Sequence, residues 1–111
     1  FGTKILGVGI AYKPDVADDR ESASIEVLNE LQSRGAEISV LDPVVGTARI
    51  ESHGFSAVEA GETLDGYAVA VILTDHAVLD LKQIAAEVDL VLDARGAYRR
   101  TGYEPDNVES L

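Results

Sequence analysis

A short apolar run that ends in two glycines constrains the fold more than any other feature of this chain. Residues 4–8 are followed at once by Gly9, and an apolar run that stops at glycine is typical of a buried strand that leaves its sheet in a tight turn. Apolar residues then recur at helical spacing from Ser22, a candidate N-cap, to Gly35, a candidate C-terminal stop. Glu37–Leu41 follows as a second strand, so these segments predict one strand–helix–strand crossover.

The rest of the chain continues this alternation of strands and helices. Residues that favour turns separate the apolar segments, and the last residues contain Gly, Pro and Asn. The predicted segments are helices near residues 47–52, 57–64 and 79–87, an edge strand at Phe55, strands over 67–73 and 89–92, and a frayed tail over 101–111.

Alternating strands and helices predict an α/β fold of three layers, αβα, over residues 1–111 as a single domain. The fold expected is Rossmann-like, with a mainly parallel sheet of five strands in the order 3-2-1-4-5. No apolar run approaches the ~18 residues that a membrane span needs. The chain has no Cys, which excludes disulfides and a cysteine nucleophile from its 111 residues and agrees with a cytoplasmic location.

The charge of the chain is strongly acidic. Nine basic and twenty acidic residues give a net charge of −11. Nucleic acid is an unsuitable partner, because neutralising phosphates requires clustered Lys and Arg. Two interpretations remain open: a protein from a high-salt source, where salt screens the repulsion within an acidic surface, and an ordinary acidic domain.

Three polar clusters follow predicted strands at their carboxyl ends. In an open parallel sheet, ligands bind outside these ends, near the point where the strand order reverses. The sequence therefore places the candidate site at this edge before any family is considered. The clusters are Tyr12 with Lys13, the triplet at residues 74–76, and Asp93 with Arg95.

The glycine turn has two interpretations. A dinucleotide cradle of the pattern G-x-G-x-x-G would use Gly7 and Gly9, with Asp42 as the acid that binds a ribose. However, Tyr12 occupies the position of the third glycine, and a long loop separates the strand from the helix. The alternative is that the two glycines let the chain leave the sheet tightly.

The other candidates also carry alternatives. Lys13 is either a ligand for phosphate or sugar hydroxyls or a solvated surface Lys, and Arg95 is a second candidate anion clamp. Residues 18–22 are either a cation site or an acidic helix start with Arg20 paired locally. His76 is a general acid or base, or a His that hydrogen-bonds its own loop, the interpretation we favour.

Taken together, these motifs resemble the C-terminal domain of the dehydrogenases that oxidise UDP-glucose, UDP-N-acetylmannosamine and GDP-mannose at C6. The similarity covers nearly the whole chain, and the pairing of an aromatic-Lys dipeptide with Arg-Glu-Ser is its most specific part. It is carried by the residues GVGIAYKP at 7–14, DDRES at 18–22, RGAE at 34–37, LDP at 41–43, LTDH at 73–76 and LDAR at 92–95.

The resemblance implies a nucleotide-sugar-binding domain cut from a longer NAD-dependent enzyme of polysaccharide biosynthesis. Such enzymes oxidise the C6 alcohol to a carboxylate, and UDP is preferred over GDP here on resemblance alone. By the same analogy Lys13 and Arg95 bind the substrate and Arg20 contacts NAD, with no catalytic residue and no metal ligand in this chain. NAD is then bound mainly by an N-terminal domain outside this sequence.

The same resemblance implies partners. They are the UDP-sugar and the N-terminal and central domains of the same polypeptide, in a parent that forms a homodimer or larger oligomer. The catalytic Cys lies outside these residues, so the isolated chain is expected to be inactive. The alternative function is a free-standing nucleotide-binding or regulatory domain without catalysis.

Overall fold

The computed structural model of the chain describes residues 2–11, 13–18 and 22–110. The elements are β1 Lys4–Val8, α1 Ala23–Ser33, β2 Glu37–Leu41, α2 Thr47–Ser52, β3 Ser56–Val58, β4 Val69–Ile72, α3 Leu81–Glu87, β5 Leu90–Asp93, α4 Ala97–Thr101 and β6 Val108–Ser110. Strands and helices alternate as the pattern of apolar runs predicts, except that no helix separates β3 from β4 within the described residues 59–68.

The strands form one six-stranded sheet in the order β3-β2-β1-β4-β5-β6, and all five pairings are parallel. The predicted Rossmann-like fold and the order of the first five strands are confirmed. The sheet lies between two helical layers, each with its own core. Leu28 of α1 and Ile50 of α2 are buried in one core, and Ile84 of α3 and Tyr98 of α4 are buried in the other.

The end of the chain differs from the prediction. Residues 101–110 are not a frayed tail, because β6 adds a sixth strand beside β5. Asn107 lies in the turn before β6, and its Nδ2 donates to the carbonyl oxygen of Ala85 at 2.8 Å, which links this turn to α3. A three-residue strand with one half-buried apolar side chain, Val108, carries too little periodicity to be recognised in sequence.

The segment before β4 also differs from the prediction. The helix expected over residues 57–64 does not form: Ser56–Val58 is the edge strand β3, and a turn follows it. Gly61 has φ of +90°, which a right-handed helix does not accommodate. The carboxylate of Glu62 accepts the Glu59 amide at 2.6 Å and so closes the turn locally.

The start of α1 is where the pattern places it, but its cap is different. Ser22 is the N-cap residue with extended backbone, yet its hydroxyl makes no capping hydrogen bond. The Ser22 Oγ is buried and has no hydrogen-bond partner within the described residues. In the described part of the chain, no helix has the length and apolar character required to cross a bilayer.

Candidate functional site

The carboxyl ends of the central strands lie at one level of the sheet. Val8 of β1 is in register with Leu41 of β2 and with Ile72 of β4, which in turn pairs with Asp93 of β5. The residues that follow these strands therefore meet at a single edge. This edge contains the three predicted polar clusters, apart from Tyr12, which lies outside the described residues.

The two glycines of the β1 turn serve packing. A Cβ on Gly7 would lie 2.8 Å from the side chain of Leu28, so this glycine lets α1 pack closely on the strand. Gly9 has φ of +88°, and a Cβ there would lie 2.3 Å from the carbonyl oxygen of Thr74. The interpretation of a tight exit from the sheet holds for Gly9, whereas Gly7 lies within β1 and serves the packing of α1.

Asp42 is not available to bind a ribose, and that candidate role was wrong. The residue is 1% exposed, and both carboxylate oxygens are occupied by donors of the chain. Oδ1 accepts the amides of Val44 and Val45 at 3.0 and 2.9 Å, which closes the turn after β2. Oδ2 accepts the Ile10 amide at 2.8 Å and lies 3.0 Å from Nε2 of His76.

His76 joins three strand ends. Its ring is fully buried, with Nε2 against Asp42 and Nδ1 accepting the backbone amide of Asp15 at 2.8 Å. Because an amide can only donate, Nδ1 must be the unprotonated nitrogen, and Nε2 carries the hydrogen that Asp42 accepts. The His therefore bonds a neighbouring loop and the end of β2 rather than its own loop. Its burial keeps it from contact with a substrate.

The loop after β1 is tied a second time to the loop after β4. The Asp15 carboxylate accepts the Ala77 amide at 2.7 Å, and the Thr74 hydroxyl donates to the Ala11 carbonyl at 2.8 Å. Asp15 has φ of +63°, a left-handed conformation that Asp tolerates better than most residues. These contacts hold the backbone at Ala11 and at Asp15, each two residues from Lys13.

Lys13 is exposed at a bend in this loop. Pro14 and Asp15, which follow it, line a groove of about 880 Å³ that runs along the carboxyl edge of the sheet. The other walls of the groove are residues 75–82, Ala97, Arg100, Thr101 and Tyr103. The backbone of Lys13 thus immediately precedes two residues of a cavity large enough for a small organic ligand.

Arg95 lies on the opposite side of this edge, after β5. Its Nε is 3.6 Å from Asp75, and its side chain is 46% exposed. Arg100 of α4 pairs with the same carboxylate and also donates to the Arg95 carbonyl at 2.7 Å. Two guanidinium groups therefore flank the Asp75 carboxylate.

Asp93 builds the turn that carries Arg95. It is fully buried, and its carboxylate accepts the amides of Arg95, Ala97 and Tyr98 at 3.0–3.1 Å. The Tyr98 hydroxyl donates to the Leu81 carbonyl at 2.7 Å and so connects α4 to the start of α3. Burial, reinforced by the charge of Asp93, raises the pKa of the Tyr98 phenol well above its usual value. Tyr98 is therefore a neutral structural donor.

Sequence patterns placed Lys13 and Arg95 at this edge but did not indicate Arg100 or Asp15. The link from Arg100 to Asp75 joins elements that are distant in sequence, so no local pattern signals it. Asp15 had a weak signal, because Pro-Asp is a common turn dipeptide. Arg20, predicted to contact NAD, lies outside the described residues, as do two acids of the predicted cation site, Asp19 and Glu21.

Within the described residues, no group of three or more His, Cys, Asp or Glu side chains is arranged to hold a metal ion. The edge combines an exposed Lys, a partly exposed Arg and a groove whose lining includes Asp15, Asp75 and Asp80 as well as Lys82 and Arg100.

The chain is similar to known proteins over most of its length. The UDP binding domain of the UDP-glucose/GDP-mannose dehydrogenase family matches residues 6–100. The UDP-glucose 6-dehydrogenase of Bacillus subtilis (strain 168) is 33% identical over 108 residues, which is 87% of this chain and 24% of that protein. That of Rhizobium meliloti (strain 1021) is 28% identical over 106 residues, 89% of this chain and 24% of that protein.

A solved structure shares the fold. A UDP-glucose dehydrogenase from the hyperthermophilic archaeon Pyrobaculum islandicum superposes with a TM-score of 0.67 at 27% identity, over 97% of this chain and 26% of that one. The present chain thus spans about a quarter of the length of these relatives.

Proposed function

This chain belongs to the UDP-glucose/GDP-mannose dehydrogenase family as its C-terminal UDP binding domain, and we propose that it is the sugar-nucleotide half-site of an NAD-dependent UDP-sugar 6-dehydrogenase. The parent enzyme would convert the C6 alcohol of the sugar to a carboxylate. Since the chain spans about a quarter of its relatives, the remaining domains would supply the NAD site and the catalytic Cys. The 111-residue chain contains no Cys, so alone it is expected to bind but not to oxidise.

One observation carries the proposal: Lys13 is exposed on a loop whose backbone is anchored on both sides of it, at the edge of the sheet where ligands bind. A Lys ammonium there is a point charge suited to a diphosphate. Arg95 would add a planar donor with bidentate geometry, once its link to Asp75 yields to a stronger anion.

The described residues of the β1 turn do not fit NAD in the usual Rossmann manner. The Asp42 carboxylate is sealed by donors of the chain, and the space beside the glycines is filled by Leu28 and Thr74. NAD, which accepts hydride from the sugar, is therefore assigned to another domain of the parent. Arg20 remains the proposed contact from this chain to that cofactor.

The test is the affinity of the full-length protein for UDP, measured by calorimetry with Lys13→Met and Arg95→Met. Losing one charge-assisted contact to phosphate is expected to weaken UDP binding by ~10-fold or more for each variant. GDP is expected to bind more weakly than UDP to the unmodified protein.

Two variants are matched controls. Lys4→Met removes a Lys at the amino edge, where its ammonium lies 5.6 Å from the Tyr67 ring centre. Arg99→Met removes an exposed Arg of α4, which lies 3.8 Å from Glu104. Both should leave UDP affinity unchanged. Equal affinity for UDP in the Lys13→Met variant and the unmodified protein would refute the proposed site. UDP binding without any oxidation of UDP-sugars by the full-length protein would instead favour a non-catalytic nucleotide-binding domain.

A further inference from the structure

We propose that His76 is a positioning residue for the sugar-nucleotide site, holding the loop that presents Lys13 to the ligand. The proposal rests on the function proposed above, in which Lys13 contacts the nucleotide. His76 does not touch the ligand, because its ring is fully buried. It acts through the backbone of the β1 loop.

The loop has an anchor on each side of Lys13. On the N-terminal side, Thr74 donates its hydroxyl to the Ala11 carbonyl at 2.8 Å. On the C-terminal side, the Asp15 amide donates to Nδ1 of His76 at 2.8 Å. Lys13 lies two residues from each anchor, so the position of its Cα is set by two side chains of the β4–α3 loop.

The His76 ring itself has no freedom to turn away. Nε2 lies 3.0 Å from Asp42 Oδ2, and that carboxylate is held by the amides of Ile10, Val44 and Val45. A fixed carboxylate thus fixes the ring, and the ring fixes the Asp15 amide. The arrangement also requires Nε2 to carry the hydrogen and leaves Nδ1 free to accept.

The backbone conformation of Asp15 is one that residues other than glycine seldom adopt, so the contacts around Asp15 must stabilise it. Asp15 is the one non-glycine residue with positive φ among those the structure describes. Such conformations persist where surrounding contacts impose them, and they concentrate at ligand sites. Here the imposing contacts are the His76 acceptor and the Ala77 amide, which donates to the Asp15 carboxylate at 2.7 Å.

Anchoring the loop lowers the entropy that ligand binding has to remove. A Lys on a mobile loop loses backbone and side-chain freedom when it grips a phosphate, whereas a Lys on a fixed loop loses side-chain freedom only. Release of the Asp15 amide is therefore expected to weaken UDP binding by ~3–10-fold without removing any contact to the ligand.

Two variants of His76 separate its two hydrogen bonds. In His76→Gln, the amide nitrogen takes the place of Nε2 and still donates to Asp42, while the acceptor for Asp15 is lost. In His76→Asn, the amide oxygen takes the place of Nδ1 and still accepts from Asp15, while the bond to Asp42 is lost. Both variants leave a void and lose one hydrogen bond. His76→Asn leaves the larger void and loses the bond to the buried carboxylate, so a greater loss of UDP affinity in His76→Gln would not reflect a greater cost to folding.

The measurement is UDP affinity in the full-length protein, as a double-mutant cycle with Lys13→Met. We expect His76→Gln to weaken UDP binding ~3–10-fold and His76→Asn to stay within ~2-fold of the unmodified protein. We also expect the penalty of His76→Gln to vanish in the Lys13→Met background. His53→Gln is the control. His53 follows the last residue of α2, at the amino edge of the sheet and therefore away from the Lys13 loop.

Three outcomes would count against the inference, and they are distinguishable. A Lys13→Met variant that binds UDP normally refutes the proposed function and the inference with it. Equal loss of affinity in His76→Gln and His76→Asn refutes the inference alone. So does a His76→Gln penalty that persists unchanged without the Lys13 ammonium.

A second pair of variants covers the case in which the His76 variants do not fold. Asp15→Asn keeps an oxygen acceptor for the Ala77 amide, whereas Asp15→Ala removes it, and both remove the same negative charge. Asp15 is exposed, so neither change disturbs the core. We expect the Asp15→Ala variant to bind UDP more weakly than the Asp15→Asn variant. The same double-mutant cycle should show that this difference disappears in the Lys13→Met background. Asn also fits the left-handed backbone of Asp15 better than Ala, so both differences release the loop in Asp15→Ala. Equal affinities for the two variants would show that the position of the Asp15 backbone does not affect UDP binding, which would overturn the inference.

Discussion

At the scale of single residues, Gly9 has the least conformational choice in the site. Its φ of +88° belongs to glycine, and the space for a Cβ is filled by Thr74 backbone at 2.3 Å. Both restrictions come from the same cause, since the chain turns out of β1 directly against the end of β4. A substitution at Gly9 therefore changes the packing of the edge as well as its backbone.

Gly9→Ala is expected to destabilise the chain by ~3 kcal/mol or more in urea unfolding, combining left-handed strain with a backbone clash. Gly54→Ala is the matched control, because Gly54 has the same φ of +88° and a Cβ there would meet no atom within 4 Å. Gly54→Ala should lower the free energy of unfolding through left-handed strain alone, by about 1–2 kcal/mol. Equal losses in the two variants would show that the contact with Thr74 is not restrictive.

The residues of the site differ in how far sequence could predict them. Lys13 comes five residues after the end of β1 and Arg95 two residues after the end of β5, so their place at the carboxyl edge follows from strand assignment alone. The function of Asp42 did not follow, because its partners Ile10 and His76 are 32 and 34 positions away. A buried carboxylate and a ribose-binding carboxylate have the same local sequence, and only the long-range donors distinguish them.

At the scale of elements, long apolar runs were sufficient to predict strands and helices, whereas short runs were not. Strands β1 and β2 and helix α2 have the predicted bounds. Strand β4 is three residues shorter than predicted, α3 is two residues shorter, and β5 is shifted by one residue. The edge elements β3 and β6 have three residues each, and long-range pairing determines them. Periodicity cannot be read from three residues, so this part of the fold depended on tertiary contacts.

Asn107 shows how such a contact supports a longer element. Its Nδ2 donates to the carbonyls of Ala85 and Val88 at 2.8 and 3.2 Å, where α3 ends and its last carbonyls lack helical partners. Asn107→Ala is expected to lower the free energy of unfolding by about 1–2 kcal/mol, measured by urea denaturation.

Two further variants define the origin of that loss. Asn107→Asp should destabilise more than Asn107→Ala, because a carboxylate would face the carbonyl oxygens and the negative end of the helix dipole. Asn29→Ala, at an exposed position of α1, should be neutral or slightly stabilising because Ala favours helix. If Asn107→Ala unfolds at the same urea concentration as the unmodified chain, the side chain does not hold β6 to α3.

At the scale of the whole molecule, the net charge of −11 acts on the folded state through self-repulsion. The hypothesis of a high-salt source predicts that the melting temperature rises steadily as KCl increases from about 0.1 to about 2 M. Screening lengths fall from ~10 Å to below ~3 Å over this range, so repulsion between surface acids is largely removed. A flat curve would favour an ordinary acidic domain.

A variant with fewer acids tests the cause of any such rise. Glu26, Glu37 and Glu109 lie at the surface, and replacing all three by Gln changes the net charge from −11 to −8. This variant should gain less from KCl than the unmodified chain, because it starts with weaker repulsion. An unchanged dependence on KCl would assign the effect to salting-out of apolar surface instead.

The parallel pairing of every described strand also governs the order in which the molecule can assemble. Among the described strands, no two neighbours are joined by a hairpin, and the bonds that anchor the Lys13 loop connect residues 61 and 63 positions apart. Contacts of such long range form slowly, since chain entropy is lost before they stabilise anything. During synthesis, Lys13 therefore leaves the ribosome long before Thr74 and His76 exist to hold its loop. Nucleotide binding is acquired late in folding, so capture of a nucleotide by a nascent chain would report that the centre of the sheet is complete.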